Sequence, residues 1–259
     1  MAGRFAFFGV TVVILHQGPD HLVFIHDELD IAWHEHHFLQ IGLGLFDLEV
    51  GAQTYKNLTG FVINSNVKHK LKVKQKKCAT VLVDNTADFG RFLSSQVLNN
   101  EDVLPIDLEL QTRNYDWLLS NLTRYFQYQP RPVELDDRIR RIVSSISQQP
   151  TSSLADICKK VGLSTSRASH LFKQQMAMPF RSFQRQLKIM TAIRLFRQSN
   201  NLTDIAHQAG FTDSAHFTNT MKQYFGSAPG IATKELSYQY HPHTLSQLVS
   251  ESDSADSAC

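Results

Sequence analysis

The stretch "DIAHQAGFTDSAHFTNTMKQYFGSAPG", residues 204–230, repeats in type and order the stretch "DICKKVGLSTSRASHLFKQQM", residues 156–176, at an offset of 48. Asp156-Ile157 returns as Asp204-Ile205, Gly162-Leu163 as Gly210-Phe211, and Ser164 as Thr212. Each copy reads as two short helices. Ser153 or Asn201 caps the first, and Asp156 or Asp204 three residues on reaches back toward the cap. The first helix ends at Gly162 or Gly210, where a left-handed turn needs a residue without Cβ. Ser164 or Thr212 then caps the second. Two short helices joined by a tight glycine turn form a helix-turn-helix, whose second member lies in the DNA major groove with its early residues on base edges. One such pattern also occurs in plain helical bundles; a tandem pair is far more specific.

Charge separates this region from the rest. Residues 131–240 carry 15 Lys or Arg against 7 Asp or Glu, whereas residues 1–130 carry 11 against 14. The second region is therefore the one suited to a polyanion. Between the two copies, "FRSFQRQLKIMTAIRLFR" (180–197) sets Phe183, Leu187, Met190 and Ile193 along one side of a helix. Eighteen residues span roughly 27 Å, against about 34 Å between successive major-groove faces, so such a helix holds two reading heads near one duplex turn apart. Ahead of the pair, "VELDDRIRRIVSSIS" (133–147) places Leu135, Ile139, Ile142, Val143 and Ile146 on one helical face.

Residues from about 135 to 235 resemble the DNA-binding domain of the AraC/XylS family of bacterial transcription regulators, on "DIAHQAGFTDSAHFTNTMKQYFGSAPG" above all and on "LSTSRASHLFK" in the first copy. The resemblance implies an all-α double helix-turn-helix domain, with double-stranded DNA and RNA polymerase as partners and activation as the common sign of control. It also implies the groove-facing positions: Ser166, Arg167, Ser169 and His170 on the first recognition helix, and Ser214, Ala215, His216, Thr218 and Asn219 on the second. Leu171, Phe172 and Phe217 belong to the core. Arg167 is the leading base contact of the first helix and Asn219, which suits adenine, of the second. Ser164 and Thr212 at helix N-termini suit phosphate, and Lys173, Arg181, Arg185 and Lys222 add salt-dependent attraction. The chain departs from the family pattern at Cys158 (usually Ala), Ala168 (a large apolar residue) and Ala177 (Gly). His170 and Asn219 stand where Arg is common, so the operator is expected to be its own.

The N-terminal part has another period. Residues 1–84 alternate short apolar and polar stretches with turn signals such as "HQGPD", "NLTG" and "INSN" between them, the pattern of a β-barrel or sandwich. The apolar run "FAFFGVTVVIL" (5–15) reads as buried strand, too short and without the flanks of a signal peptide. In "VKHKLKVKQKK" (67–77), Lys68, Lys70, Lys72, Lys74 and Lys76 share one face, read as a solvated edge blocked by charge. From residue 111 helical spacing takes over: Tyr115, Leu118, Leu119, Leu122, Tyr125 and Phe126 form a stripe that is buried either on the barrel or in a homodimer through residues 111–127. Family members of this layout carry a cupin-like barrel that binds a small-molecule effector or dimerises.

Within that barrel, "IAWHEHHF" (31–38) concentrates metal-binding chemistry. A metal-binding cupin supplies His-x-His, a Glu three or four residues on, and a later His. Here His34, His36 and His69 are available, but Leu39 and Gln40 stand where the carboxylate belongs. The histidines are therefore read either as surface residues open to water or as an effector-pocket candidate on one strand, with no metal and no cofactor expected. The rival is a cupin-type metalloenzyme with a helical appendage. The chain has no P-loop, dinucleotide fingerprint or Gly-x-Ser-x-Gly nucleophile motif, so no enzyme activity is expected.

The fold class is thus α+β. Residues 1–128 form a cupin-like effector or dimerisation domain with a connector helix, 129–132 a linker at Pro130 and Pro132, and 133–238 the AraC-type DNA-binding domain. Residues 239–259, Ser-rich and acidic, form a disordered tail. Three widely spaced cysteines and no apolar helix of spanning length fit a cytoplasmic protein without membrane contact.

Overall fold

The structure is a computed structural model that describes residues 12–247, apart from 28, 76, 109, 111–113, 132, 197, 199–200, 227 and 230–236. Most of the apolar run at 5–15, Lys76 and residues 248–259 of the expected tail lie outside the described residues. The chain divides into two compact units, Met1–Pro132 with Thr218–Cys259, and Val133–Phe217.

The first unit is a sheet with helices on one face. Its described strands are β1 (Val12–Gln17), β2 (His21–His26), β3 (Leu29–His34), β4 (Phe38–Val50), β5 (Gln53–Ile63), β6 (His69–Val73), β7 (Cys78–Asp84), β8 (Val103–Pro105) and β9 (Ser237–Tyr240). They run β3-β6-β4-β7-β2-β1-β9, with β5 on β4 and β8 on β5. Among the described strands β4 has three partners: besides β5, its Phe38–Leu43 pair with β7 and its Phe46–Val50 pair with β6. The change comes at Gly44, whose φ of 136° suits glycine and whose Cβ, if present, would meet Cys78 Sγ at 2.3 Å.

Alternation along the strands assigns the two faces. Val23, Ile25, Leu39, Ile41, Val81 and Val83 point to one core, covered by Phe89 of α1 (Asp88–Phe92) and by α2 (Tyr115–Tyr125). Ile31, Phe46, Leu48, Phe61, Ile63, Leu71 and Val73 fill a second core on the other face. With both faces buried, β2 and β7 carry near-continuous apolar runs.

The α2 stripe resolves the choice left by periodicity. Tyr115, Leu118, Leu119 and Leu122 are buried within the chain, in the core that holds Val23 and Val81. Those apolar residues are not available to a partner. Asp116, Ser120, Arg124 and Tyr125 form the helix's exposed side.

Two expectations are corrected. β6 is not an edge: it lies between β3 and β4. Lys70 of β6 pairs with Glu49 at 3.0 Å, and Lys74, just past the strand, with Asp47 at 3.3 Å. Nor is the C-terminal segment disordered from residue 239. β9 pairs in parallel with β1, and Leu245 is buried. Composition misled because a few specific contacts hold this polar segment. Asp20 accepts the Leu245 amide hydrogen at 3.2 Å, Tyr238 donates to Gln17 Oε1 at 2.8 Å, and His241 stacks on Tyr115 with ring centroids 3.7 Å apart.

The second unit is helical: α3 (Asp137–Gln148), α4 (Leu154–Val161), α5 (Thr165–Met176), α6 (Phe180–Leu195) and α7 (Leu202–Gln208), with the start of α8 (Ser214–Phe225). Ile139, Ile142 and Ile146 of α3 join Ile157, Cys158, Ala168, Phe172 and Phe183 in one core. Phe217 packs on Phe196 and Phe211, with centroids 6.0 and 5.1 Å away.

Candidate nucleic-acid interface

Capping chemistry sets where each reading helix begins. Ser153 Oγ accepts the Asp156 amide hydrogen at 3.1 Å and donates to the Asp156 carboxylate at 2.6 Å. α4 ends at Gly162, with φ 72°. Ser164 Oγ then accepts the Arg167 amide hydrogen at 3.3 Å and starts α5. In the second copy Asn201 Oδ1 accepts from Thr203 and Asp204, and Gly210, with φ 85°, turns the chain.

The second cap differs from the expected one. Thr212 does not cap α8; Asp213 Oδ1 accepts the His216 amide hydrogen at 2.7 Å, and the helix begins at Ser214. A carboxylate is the stronger cap and complements the helix dipole as well. The two copies thus match in sequence at an offset of 48 while their second helices start one residue out of step.

The expected groove residues of the first copy share the open side of α5: Ser166, Arg167, Ser169 and His170 are exposed, Leu171 is half-buried, and Phe172 is buried. On α8, Ala215, His216 and Asn219 are exposed, Ser214 and Thr218 are half-buried, and Phe217 is fully buried. The His216 ring stands edge-on to Phe211 at 5.5 Å. Ser164, Thr212, Lys173, Arg181, Arg185 and Lys222 are all exposed. Asp136, the cap of α3, was not singled out by sequence. Its bonds from Arg138, at 2.6 and 2.9 Å, hold its carboxyl well below the usual carboxylate range, and the charge of Arg167 adds to the effect.

The histidines of the first unit do come together. His34 closes β3, His36 sits in the turn that follows, and His69 opens β6, so "IAWHEHHF" is a strand and a turn rather than one strand. All three are buried, and one ring nitrogen from each lies within 4.8 Å of the others. Desolvation lowers their pKa, to about 3 for His34, about 4 for His36, and well below 6.5 for His69. Gln40 Oε1 stands 3.1 Å from Nε2 of both His36 and His69. The cavity beside them, lined by Phe24, His34, His36, Gln40, Thr80 and Phe225 among others, is about 20 Å³, room for a water rather than an effector. A larger one, about 240 Å³, lies elsewhere in the unit, against Asp88, Arg91, Phe92, Gln127 and Arg131.

Comparison with known proteins matches residues 157–234 to a family described as "Helix-turn-helix domain". Over 99 residues the chain is 29% identical to the arabinose operon regulatory protein of Escherichia coli, covering 37% of this chain and 34% of that protein. These residues form a helix-turn-helix domain of the AraC type. An HTH-type transcriptional activator, RhaR, of Mannheimia succiniciproducens is 20% identical over 172 residues, 65% of this chain and 59% of that one. An uncharacterized HTH-type transcriptional regulator of Staphylococcus aureus is 31% identical over 129 residues, covering 45% of this chain. The chain spans only 17% of the length of that regulator. Among solved structures, an apo ToxT from Vibrio cholerae aligns with a TM-score of 0.50 at 16% identity, over 81% of this chain and 95% of that one. That likeness concerns the fold alone, a sheet-rich part followed by a helical one.

Proposed function

We propose that this chain is a sequence-specific DNA-binding transcription regulator of the AraC/XylS type, whose α5 and α8 enter adjacent major grooves, with the sheet unit as its sensing or dimerising part. The observation that carries the reading is the pair of capped helices, each presenting a polar exposed side at its start over a buried phenylalanine, Phe172 and Phe217. α6 has 16 residues, about 24 Å by helical rise.

Arg167 and Asn219 are the proposed base readers, with Ser166, Ser169, His170, Ser214, Ala215, His216 and Thr218 around them. Ser164, Thr212, Lys173, Arg181, Arg185 and Lys222 are proposed for phosphate. The Asp213 carboxylate makes the second helix start less welcoming to phosphate than the first. RNA polymerase as partner and activation as outcome are proposed from the family, with a relative named as an activator in support. A homodimer through residues 111–127 would use the exposed side of α2, near Arg124 and Tyr125. A small-molecule effector would act by favouring one DNA-bound state; the cavity by Arg91 and Arg131 is the roomier candidate for it. Action in the cytoplasm is proposed from the family; no described helix is long and apolar enough to cross a membrane.

The test is selection from a random duplex pool with the full chain, followed by gel-shift titration. Enrichment of a site with two half-sites about 10 base pairs apart, lost in an Arg167→Ala/Asn219→Ala variant that keeps its circular dichroism, is expected. A pool that stays unenriched overturns the reading.

A further inference from the structure

The buried histidines outside the DNA-reading units converge on one point, each ring held from behind by a backbone carbonyl. His34 Nδ1 lies 2.9 Å from the Ala32 carbonyl oxygen, His36 Nδ1 3.0 Å from that of Phe38, and His69 Nδ1 2.8 Å from that of Val67. A carbonyl only accepts, so each Nδ1 carries the ring hydrogen and donates it. Each Nε2 is then a bare lone pair. Two of these lone pairs, on His36 and His69, face Gln40 Oε1 at 3.1 Å. That oxygen is itself only an acceptor. Meanwhile Gln40 Nε2 is buried without a hydrogen-bond partner. Acceptors turned toward one point, in a residue set no more than 5% exposed, need a positive partner: either the Gln40 amide turned over, giving one N–H to each ring, or a cation that Oε1 and the rings share.

We propose that His34, His36 and His69 bind a divalent first-row transition metal through their Nε2 atoms, with Gln40 Oε1 as a fourth donor. Nδ1–H bonded to a backbone carbonyl is the arrangement that fixes a metal-binding imidazole in its ring orientation. One ring nitrogen of each histidine lies within 4.8 Å of the others; around zinc, with bonds of about 2.0–2.1 Å, tetrahedral ligands sit about 3.4 Å apart. Closing that gap takes small ring movements within the cluster. Three nitrogens and an amide oxygen select zinc, cobalt, nickel or copper over magnesium or calcium, which need several oxygens. The adjoining cavity of about 20 Å³ has room for one metal-bound water. No carboxylate follows the His-x-His in the sequence; the amide of Gln40 occupies that place instead. This inference stands independently of the DNA-binding reading.

The full chain, stripped with a chelator, is titrated with cobalt and with zinc. Expected are visible d–d bands of a low-coordinate cobalt site and retention of about one zinc per chain after dialysis. A rise in melting temperature on adding zinc is also expected. His34→Gln and His69→Gln should each weaken retention by at least about tenfold. Should those variants not fold, Gln40→Glu discriminates: a carboxylate among the ligands tightens zinc, whereas in a metal-free hydrogen-bonded cluster it only destabilises. Wild-type protein that shows no cobalt bands and keeps no zinc overturns the proposal, as does zinc retention unchanged in the folded histidine variants, which would place the ion on surface histidines.

Discussion

Ser164 Oγ accepts the amide hydrogen of Arg167 at 3.3 Å, so the residue that starts α5 also fixes the backbone of the residue proposed to read DNA. The two roles separate by mutation. Arg167 is exposed and its side chain supports no core, so Arg167→Ala should leave the melting curve unchanged while costing about 1 to 3 kcal/mol of specific binding. Ser164→Ala should lose about 1 kcal/mol of stability through the cap. Gel shift on the selected site and thermal melts on the same preparations check both. Equal DNA affinity for wild type and Arg167→Ala would remove that residue from the interface.

The cap of α8 gives a second test, because the sequence repeat and the structure disagree by one residue. With Asp213 holding the His216 amide hydrogen at 2.7 Å, Asp213→Ala should destabilise by about 1 kcal/mol. Thr212→Ala, at the position equivalent to Ser164, should fall within about 0.5 kcal/mol of wild type. Urea unfolding of the two variants measures this, and a larger loss at Thr212 would restore the cap to the residue the repeat designates.

That one-residue shift illustrates what the sequence carries and what it withholds. The helix-turn-helix pair was legible because its determinants are local: a cap, a glycine at positive φ, and apolar residues at helical spacing, all within about 25 residues. Asp213 was overlooked because Thr and Asp adjoin, and either can cap; choosing between them takes the backbone. The strand pattern showed the sheet, but pairing is non-local, so the place of β6 between β3 and β4 was hidden, and its lysines suggested an edge. The histidines were visible as chemistry, yet only the fold brings His69 to within ring-contact distance of His34, with centroids 4.1 Å apart. The C-terminal segment failed most plainly: composition predicts disorder, and no composition reveals that Asp20 accepts the Leu245 amide hydrogen.

Three small residues in the second unit form a graded set. Ala177 ends α5 in the left-handed region, φ 53° and ψ 13°, where a Cβ costs about 1 kcal/mol. Ala177→Gly, the residue common in the family, should therefore raise stability by several tenths to about 1 kcal/mol. Gly162→Ala should lose about 1 kcal/mol by the same backbone argument, since a Cβ there meets nothing within 4 Å. Gly210→Ala should lose clearly more, because its Cβ would come within 2.8 Å of Thr151 Cγ2 in addition to the backbone cost. Chemical denaturation of the three variants tests the order, and a Gly210→Ala loss equal to that of Gly162→Ala would show that Thr151 yields freely.

Acid should loosen the sheet unit through His16. Its ring is buried, stacked on Tyr115 at 4.6 Å, and its Nδ1 stands 3.0 Å from His241 Nε2. Desolvation first, then the charges of His241 and His21, lower its pKa from 6.5 to about 4. The sign follows from proton binding: between about 4 and 6.5 the unfolded chain takes up a proton that the folded chain refuses, so stability rises with pH across that window. Above about 6.5 neither state binds the proton and the contribution is flat. Below about 4 both do, and up to about 3 kcal/mol has been lost. His26, also lowered to about 4 by burial, acts in the same direction. Urea midpoints from pH 7.5 down to pH 4.5 should therefore fall for the wild type and fall less steeply for His16→Phe, which keeps a stacking ring but cannot be protonated. Parallel pH profiles for the two proteins would show that His16 is not what acid acts on.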